Sequence, residues 1–269
     1  MLFGEYVPPS KVLTDEVNAY AERVRKHLVD AMEKVSVKTQ PPELAAEVTK
    51  RVPPSARKNY TEIDDAGFLL LSEIYDLGSR IHNYQYIERY RSMVSKDTPK
   101  EIPAALTGHT YTLRSYEIYT VLERVVQLLK FARRIAEASG LPSILNDKKY
   151  ESRMKKEFDY RLRERHRIVH AHERPSLVSR ITSFGAQNAD NEIVKDVLGG
   201  IAVVQGIALK LLKERYPDIT MPNVTDPDFY RGYLDRVDQE AAKMWELLTI
   251  YLDECLSLPQ PTTAPVSGN

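Results

Sequence analysis

The sequence predicts an all-α fold, an antiparallel helical bundle of about six main helices joined by mostly short connections. Apolar residues recur every three or four positions along six long runs, which is the spacing of an amphipathic helix. No segment alternates apolar and polar residues over the length of a strand. The sixteen prolines fall between the runs, as expected because a proline inside a helix costs about 3 kcal/mol.

Proline and glycine residues set the predicted bounds of each helix. Proline pairs bracket a short second helix, a capping-box pattern at 61–64 starts the third, and Gly78 is the weakest point of that run. Gly140 and Pro142 end the fourth helix, and Pro175 closes the fifth. The predicted helices are, in order, 14–35, 42–51, 61–94, 111–138, 147–173, 191–215 and 228–256.

The apolar faces of these helices follow from the same spacing. In the helix 191–215, three small residues share a face on which a neighbouring helix could approach closely, namely Gly199, Ala202 and Gly206. The other faces are expected at Val17, Tyr20, Val24, Leu28, Ala31 and Val35 in the first helix, at Phe68, Leu70, Ile74, Leu77, Ile81, Tyr84, Ile87 and Tyr90 in the third, and at Tyr233, Val237, Ala241, Met244, Leu248, Tyr251 and Leu252 in the last.

Three segments are predicted along the chain. Residues 1–60 hold an N-terminal helix and Pro-rich connections, residues 61–257 form the helical bundle, and residues 258–269 form a tail. The tail is rich in Pro, Thr and Ser, which cannot bury enough apolar surface to order it, so we expect it to be disordered.

The composition argues against several classes of protein. Because 38 Lys and Arg balance 38 Asp and Glu, the chain has no overall field to attract a polyanion or a membrane surface, and such a partner would need a local basic patch. A lone cysteine, Cys255, excludes a disulfide framework and a Cys-based zinc site. Gly-rich phosphate loops, GxSxG elbows and HExxH pairs are missing, so the motifs of P-loop NTPases, α/β-hydrolases and zincins do not apply.

A cytoplasmic location without a membrane partner is expected. The N-terminus reaches Pro8 and Pro9 before the apolar core of a signal peptide can form. The longest apolar stretch, 197–212, has 16 residues, fewer than the roughly 20 that a membrane span needs.

A local basic patch lies at 148–174, with ten basic and five acidic residues. Three of the six histidines lie near its end. On a helical wheel, Arg165 falls in the middle of the apolar stripe, where a guanidinium must be paired or must line a cavity. His166 and His170 fall on the flanking face with Asp159, Arg163 and Glu173. This helix is therefore the first place to look for chemistry.

The segment 165–170, Arg-His-Arg-Ile-Val-His, resembles the Arg-x(4–6)-His motif of HEPN domains, in which a polar residue such as His166 often follows the arginine. The resemblance implies that the bundle 61–257 is HEPN-like. Many HEPN proteins are metal-independent endoribonucleases that act as toxins, antiphage effectors or RNA-processing enzymes. It further implies an RNA substrate, no cofactor and no metal, a homodimer in which two motifs face each other, and an antitoxin or regulatory partner.

The resemblance also implies roles for individual residues. Arg165 would bind or polarise the scissile phosphate, and His170, with His166 beside the arginine, would serve acid–base chemistry that yields a 2′,3′-cyclic phosphate. Histidine suits this role because its ordinary pKa of about 6.5 lets it exchange protons near neutrality. His172 lies on the same face as Arg165 and is the alternative active histidine. Expected substrate-binding residues are Arg161, Arg163, Arg167, His172 and Arg174.

Other interpretations of Arg165 stay open. It could instead form a structural salt bridge with Glu73, Asp76 or Glu117, and the protein would then be a non-catalytic helical scaffold or interaction protein. The histidine face could be a solvated surface with polar pairs four residues apart.

A metal site and a base-stacking surface are two further alternatives. His166 and His170 are spaced to chelate one ion, together with Asp159 or Glu173, although the neighbouring arginines disfavour a cation. Tyrosines near arginines could stack unpaired bases, or they could line the edge of the core with their hydroxyls in water. The tyrosines concerned are Tyr84, Tyr86, Tyr90, Tyr111, Tyr116 and Tyr119, and the arginines are Arg89, Arg91 and Arg114.

Overall fold

The computed structural model of the chain describes residues 8–9, 12–32, 41–51, 63–87, 89, 101–170 and 227–259, with the backbone alone at 63–65, 101–112, 164, 167–170 and 227–233. Within these ranges the chain forms seven α-helices and no β-strand, which confirms the all-α helical bundle. The helices are α1 (Thr14–Met32), α2 (Pro42–Arg51), α3 (Ile63–Ile87), α4 (Glu101–Ala138), α5 (Asp147–Glu157), α6 (Asp159–His170) and α7 (Pro227–Leu256). The helix predicted at 191–215 and the apolar stretch 197–212 lie outside the described residues.

Prolines stand at the helix starts. Pro42 and Pro227 are the first residues of α2 and α7, where the missing N–H has no helical partner to lose. The bounds of α2 are those predicted, whereas α4 begins at Glu101 and contains Pro103 in its first turn. The predicted start of this helix at 111 is therefore wrong, and Pro103 fits inside it because the first turn of a helix tolerates proline.

The end of α4 is confirmed as predicted. Gly140 adopts a φ of 67°, in the left-handed region that glycine enters without steric cost. Its N–H donates to the Glu137 carbonyl at 3.2 Å, and the Leu141 N–H donates to the Ala136 carbonyl at 2.8 Å. These are the reversed hydrogen bonds that satisfy the last carbonyl groups of a helix.

The single helix predicted over 147–173 is wrong. The segment breaks at Phe158, whose φ of −113° and ψ of 22° end α5, and Asp159 starts α6. Lys155 and Lys156 lie in the last turn of α5 and Asp159 in the first turn of α6, which is the charge order that the dipoles of two successive helices favour. The periodicity of the apolar residues continues through this break and concealed it. A helical wheel that begins in α5 therefore does not predict the direction of the side chains in α6.

The chain divides into two compact units, to which α3, α4, α6 and α7 each contribute a part. The first unit consists of Met1–Lys11, Asn83–Tyr116 and Tyr160–Glu240, and the second unit of Val12–His82, Glu117–Asp159 and Ala241–Asn269.

The second unit has an apolar core to which six helices contribute, α2 through Leu44 and Val48. The face predicted for α3 is confirmed from Leu70 to Ile87, and Tyr90 lies outside the described residues. Phe68 is 62% exposed because it lies two residues, or about 200°, away from Leu70 around the helix. The buried side chains of this core include Val17, Tyr20, Val24 and Leu28 of α1, Leu70, Ile74, Leu77 and Ile81 of α3, Val121, Val125, Leu129 and Ala132 of α4, Tyr150 and Met154 of α5, and Ala241, Met244, Leu248 and Leu252 of α7.

Gly78 lets α1 approach α3 closely. A Cβ atom at Gly78 would lie 2.6 Å from Cγ2 and 2.7 Å from Cγ1 of Val17, well inside the usual carbon–carbon contact distance of about 3.5–4 Å. The helix α3 runs through Gly78 without a break, so this residue serves packing rather than bending.

Within the described ranges, none of the helices combines the length and the hydropathy that crossing a membrane requires. Leu258, the first residue of the predicted tail, is buried, and its N–H donates to the Asp253 carbonyl at 3.0 Å. Residues beyond 259 lie outside the described part of the chain.

Candidate functional site

Arg165 lies near the middle of α6, in the first unit, and is half-buried. Its guanidinium carbon lies 5.7 Å from the centre of the Tyr116 ring, within the range of a cation–π contact. Tyr116 is itself 38% exposed. A permanent positive charge is thus held against an aromatic ring at a position that solutes can reach.

The face of α6 that flanks Arg165 is exposed. Arg163 and His166 are both exposed, as expected from their positions on the helical wheel. His170 ends α6 one turn after His166. The side chains of Arg167 and His170, and all of His172 and Arg174, lie outside the described part of the structure.

Arg161, predicted as a substrate-binding residue, is held by a carboxylate of α7. Its Nε donates to Oε1 of Glu240 at 3.2 Å, and only 11% of the Arg161 side chain is exposed. The Tyr84 hydroxyl, from the last turn of α3, donates to Oε2 of the same carboxylate. The Arg161 guanidinium carbon also lies 5.6 Å from the centre of the Tyr160 ring. Glu240 therefore joins α3 and α6 within the first unit.

The Tyr84 hydroxyl stays protonated in this environment. Burial raises the pKa of Tyr84, and the negative charge of Glu240 raises it further, whereas Arg114 and Arg161 lower it. Arg114 is fully buried, with its guanidinium carbon 6.0 Å from the centre of the Tyr84 ring. The net effect is a pKa well above the ordinary value, so Tyr84 is a hydrogen-bond donor throughout the neutral range.

A second buried ion pair lies in the first unit. Arg89 binds Asp238 of α7 through two parallel hydrogen bonds, Nη1 to Oδ1 at 3.0 Å and Nη2 to Oδ2 at 2.9 Å. The Gln85 amide also donates to Oδ1 of Asp238, at 3.2 Å. Both charged side chains are almost completely buried. The two-point geometry fixes the position of α7 near Asp238.

Sequence analysis missed both carboxylates of α7. A signal existed for Asp238, because it follows Leu234 by four residues and precedes Ala241 by three, which places it on the apolar stripe. The same wheel argument that singled out Arg165 would have found it. Nothing in the sequence distinguishes Glu240 from the other acidic residues of α7.

The three carboxylates proposed as structural partners of Arg165 lie in the second unit and take part in other ion pairs. Arg124 binds Glu73 at 2.6 Å and also contacts Asp76. Arg80 binds Glu117 at 3.2 Å. These pairs connect α3 and α4.

No group of three His, Cys, Asp or Glu side chains among the described residues could hold a metal ion. The metal alternative at His166 and His170 stays a prediction, because the His170 side chain and Glu173 lie outside that part of the chain.

No family model, no curated protein and no solved structure matches the chain. The HEPN resemblance therefore depends on the residues of α6 alone.

Proposed function

We propose that this protein is a metal-independent endoribonuclease of the HEPN type, with Arg165 and His170 in its active site. The observation that supports this function is the position of Arg165, half-buried against the partly exposed Tyr116 ring and followed in the chain by the exposed His166. A guanidinium held in this way can bind a phosphate through its planar, permanently charged fork.

The reaction is a transfer of the phosphoryl group within the RNA chain. The ribose 2′-oxygen forms a bond to phosphorus as its proton passes to a base, and the bond from phosphorus to the 5′-oxygen breaks as that oxygen takes a proton from an acid. The products are a 2′,3′-cyclic phosphate and a 5′-hydroxyl. His170 supplies the acid–base function, and Arg165 neutralises the charge that develops on the phosphate oxygens.

Glu73, Asp76 and Glu117 each contact an arginine of α3 or α4. A structural salt bridge of Arg165, and with it the scaffold interpretation, stays the alternative that the cleavage test below decides.

A homodimer and an antitoxin or regulatory partner belong to the same proposal. Two copies that place their α6 helices face to face would bring two Arg165 side chains and two His170 side chains to one RNA strand. Arg163 and His166, exposed on α6, would then lie along the path of the RNA backbone.

The test is cleavage of total RNA by the purified full-length protein in EDTA. Arg165→Ala and His170→Ala should each lower the cleavage rate by at least about 100-fold, the usual contribution of an acid–base residue. Arg25→Ala is the matched control, because Arg25 is an exposed arginine of α1, outside the basic patch 148–174, and it pairs with Glu22 three residues away. Cleavage that requires a metal ion, or that survives both substitutions, would reject the mechanism.

A further inference from the structure

Two exposed tyrosines accompany the arginines of α6 in the first unit. Tyr160 is 63% exposed and Tyr116 is 38% exposed. Each ring has a guanidinium of α6 close to it, Arg161 at Tyr160 and Arg165 at Tyr116. Single exposed aromatic residues are common on protein surfaces, but two that each contact an arginine of the same helix form a pattern.

The two arginines that meet the rings lie one turn apart on α6. Arg161 and Arg165 are four residues apart, so they lie on the same side of the helix, about 6 Å apart along its axis. Stacked nucleotides of one strand advance by about 3.4 Å each, so one turn of α6 has the length of about two nucleotides.

The charges around the rings fit a polyanion. Arg163 and His166 are exposed on the same helix, where they can contact phosphates that run beside the bases. Aromatic rings beside basic side chains are the usual surface for a single strand, because every base has a face that can stack on a ring. The bases of a duplex already stack on each other, so these rings select unpaired nucleotides.

We infer that Tyr116 and Tyr160 form a stacking subsite for unpaired bases of single-stranded RNA. The inference rests on the proposed function and adds to it the class of RNA and two residues outside the Arg-x(4–6)-His motif. Arg161 is bound by the carboxylate of Glu240, and its guanidinium lies against the Tyr160 ring, most of which is exposed.

The experiment measures binding separately from cleavage. The probe is a fluorescent 12-nucleotide oligouridine with 2′-O-methyl groups, which lacks the attacking hydroxyl, and its affinity is measured by anisotropy in EDTA. The same oligonucleotide annealed to its complement is the duplex probe. Tyr160→Ala and Tyr116→Ala should each weaken binding of the single strand by about tenfold, the typical loss of one stacked base. Binding of the duplex should be weaker than that of the single strand and should not change.

Two control variants separate stacking from a general surface effect. Tyr160→Phe keeps the ring and should bind like the wild type. Tyr75→Ala removes a tyrosine of α3 that is 43% exposed and should also leave binding unchanged. Because all of these side chains are exposed, the variants should keep the circular dichroism spectrum of the wild type.

The outcomes distinguish the inference from the proposed function. Ring-dependent binding of the single strand without cleavage of natural RNA in EDTA supports the stacking subsite and rejects the nuclease. Cleavage that is accompanied by equal binding in wild type and Tyr160→Ala rejects the subsite and leaves the nuclease standing. A wild-type protein that binds neither probe rejects the subsite. A Tyr160→Ala variant that loses self-association while it binds RNA normally also rejects it, because the ring would then contact a second copy of the chain.

Discussion

Replacing Gly78 with alanine tests whether close packing of α1 against α3 holds the second unit together. The new Cβ would lie 2.6 and 2.7 Å from the two methyl carbons of Val17, so Val17 or the helix must move. Overpacking of this kind costs about 1–3 kcal/mol. Alanine is favoured over glycine inside a helix by about 1 kcal/mol. We therefore expect Gly78→Ala to lower the free energy of unfolding by about 1 kcal/mol.

A second substitution should reverse that sign. Val17→Ala removes both methyl groups that the new Cβ would meet, and by itself it should cost about 2 kcal/mol through lost burial and a small cavity. In that background, the nearest remaining atom is Cβ of residue 17, at 3.2 Å, a contact that a small shift relieves. Gly78→Ala should then stabilise the protein by about 1 kcal/mol through helix propensity. The coupling between the two positions is thus about 2 kcal/mol, within the range known for residues in contact.

Urea unfolding of the four proteins, followed by far-UV circular dichroism, measures this coupling. Ser79→Ala is the matched control, because Ser79 is the next residue of α3 and is exposed. It should raise stability by about 0.5 kcal/mol in both backgrounds through helix propensity alone. If Gly78→Ala has the same effect with valine and with alanine at position 17, to within about 0.5 kcal/mol, the close approach of the two helices is refuted.

Three further predictions concern buried charges and titrating groups. Asp238→Asn should lower the free energy of unfolding, measured in urea, by about 3 kcal/mol, because it leaves the Arg89 guanidinium buried without its counter-charge. The control, Asp235→Asn, changes an exposed residue of the same helix and should have little effect. Equal losses in the two variants would contradict this account. Burial raises the pKa of the Cys255 thiol to about 12. At pH 8 the native protein should therefore not react with Ellman's reagent, while the unfolded protein should react fully. A fast reaction of the native protein would show that the thiol is accessible. Burial, and then the neighbouring carboxylate of Asp253, raises the pKa of Tyr20 well above its ordinary value. The contribution of the Tyr20 hydroxyl to stability is therefore complete below about pH 10 and falls as the pH rises further. The urea midpoint should drop less between pH 9 and pH 11 in Tyr20→Phe than in the wild type, and an equal drop would rule out this linkage.

Much of the fold could be predicted because its signals are local. The two ends of α2 and the glycine that ends α4 follow from residues within one turn of the helix end. The break between α5 and α6 could not be found from apolar spacing, since Phe158 is buried and continues the periodic pattern. The useful signal there was the change of charge from Lys155 and Lys156 to Asp159, which fits a helix end followed by a helix start.

The candidate site was only partly predictable because its contacts are distant in sequence. The exposure of Arg163 and His166 follows from their positions on the wheel of α6. The contact between Tyr84 and Glu240, by contrast, spans 156 positions of the chain, and no local pattern brings two such residues together. Sequence reasoning could place Arg161 on the right helix, but it could not tell that a carboxylate of α7 binds it.

The buried charges of the first unit are best explained as a means of fixing α6. Burying a guanidinium such as that of Arg89 is costly, and apolar replacements of a buried ion pair are often neutral or stabilising, so stability alone does not account for the pair. Its two parallel hydrogen bonds fix Asp238, and Glu240 follows two residues later on the same helix. Because Glu240 binds Arg161, the rotation of α6 about its own axis is set by these contacts. Arg165 lies one turn further along α6, and the same rotation determines that its guanidinium meets the Tyr116 ring rather than turning into solvent.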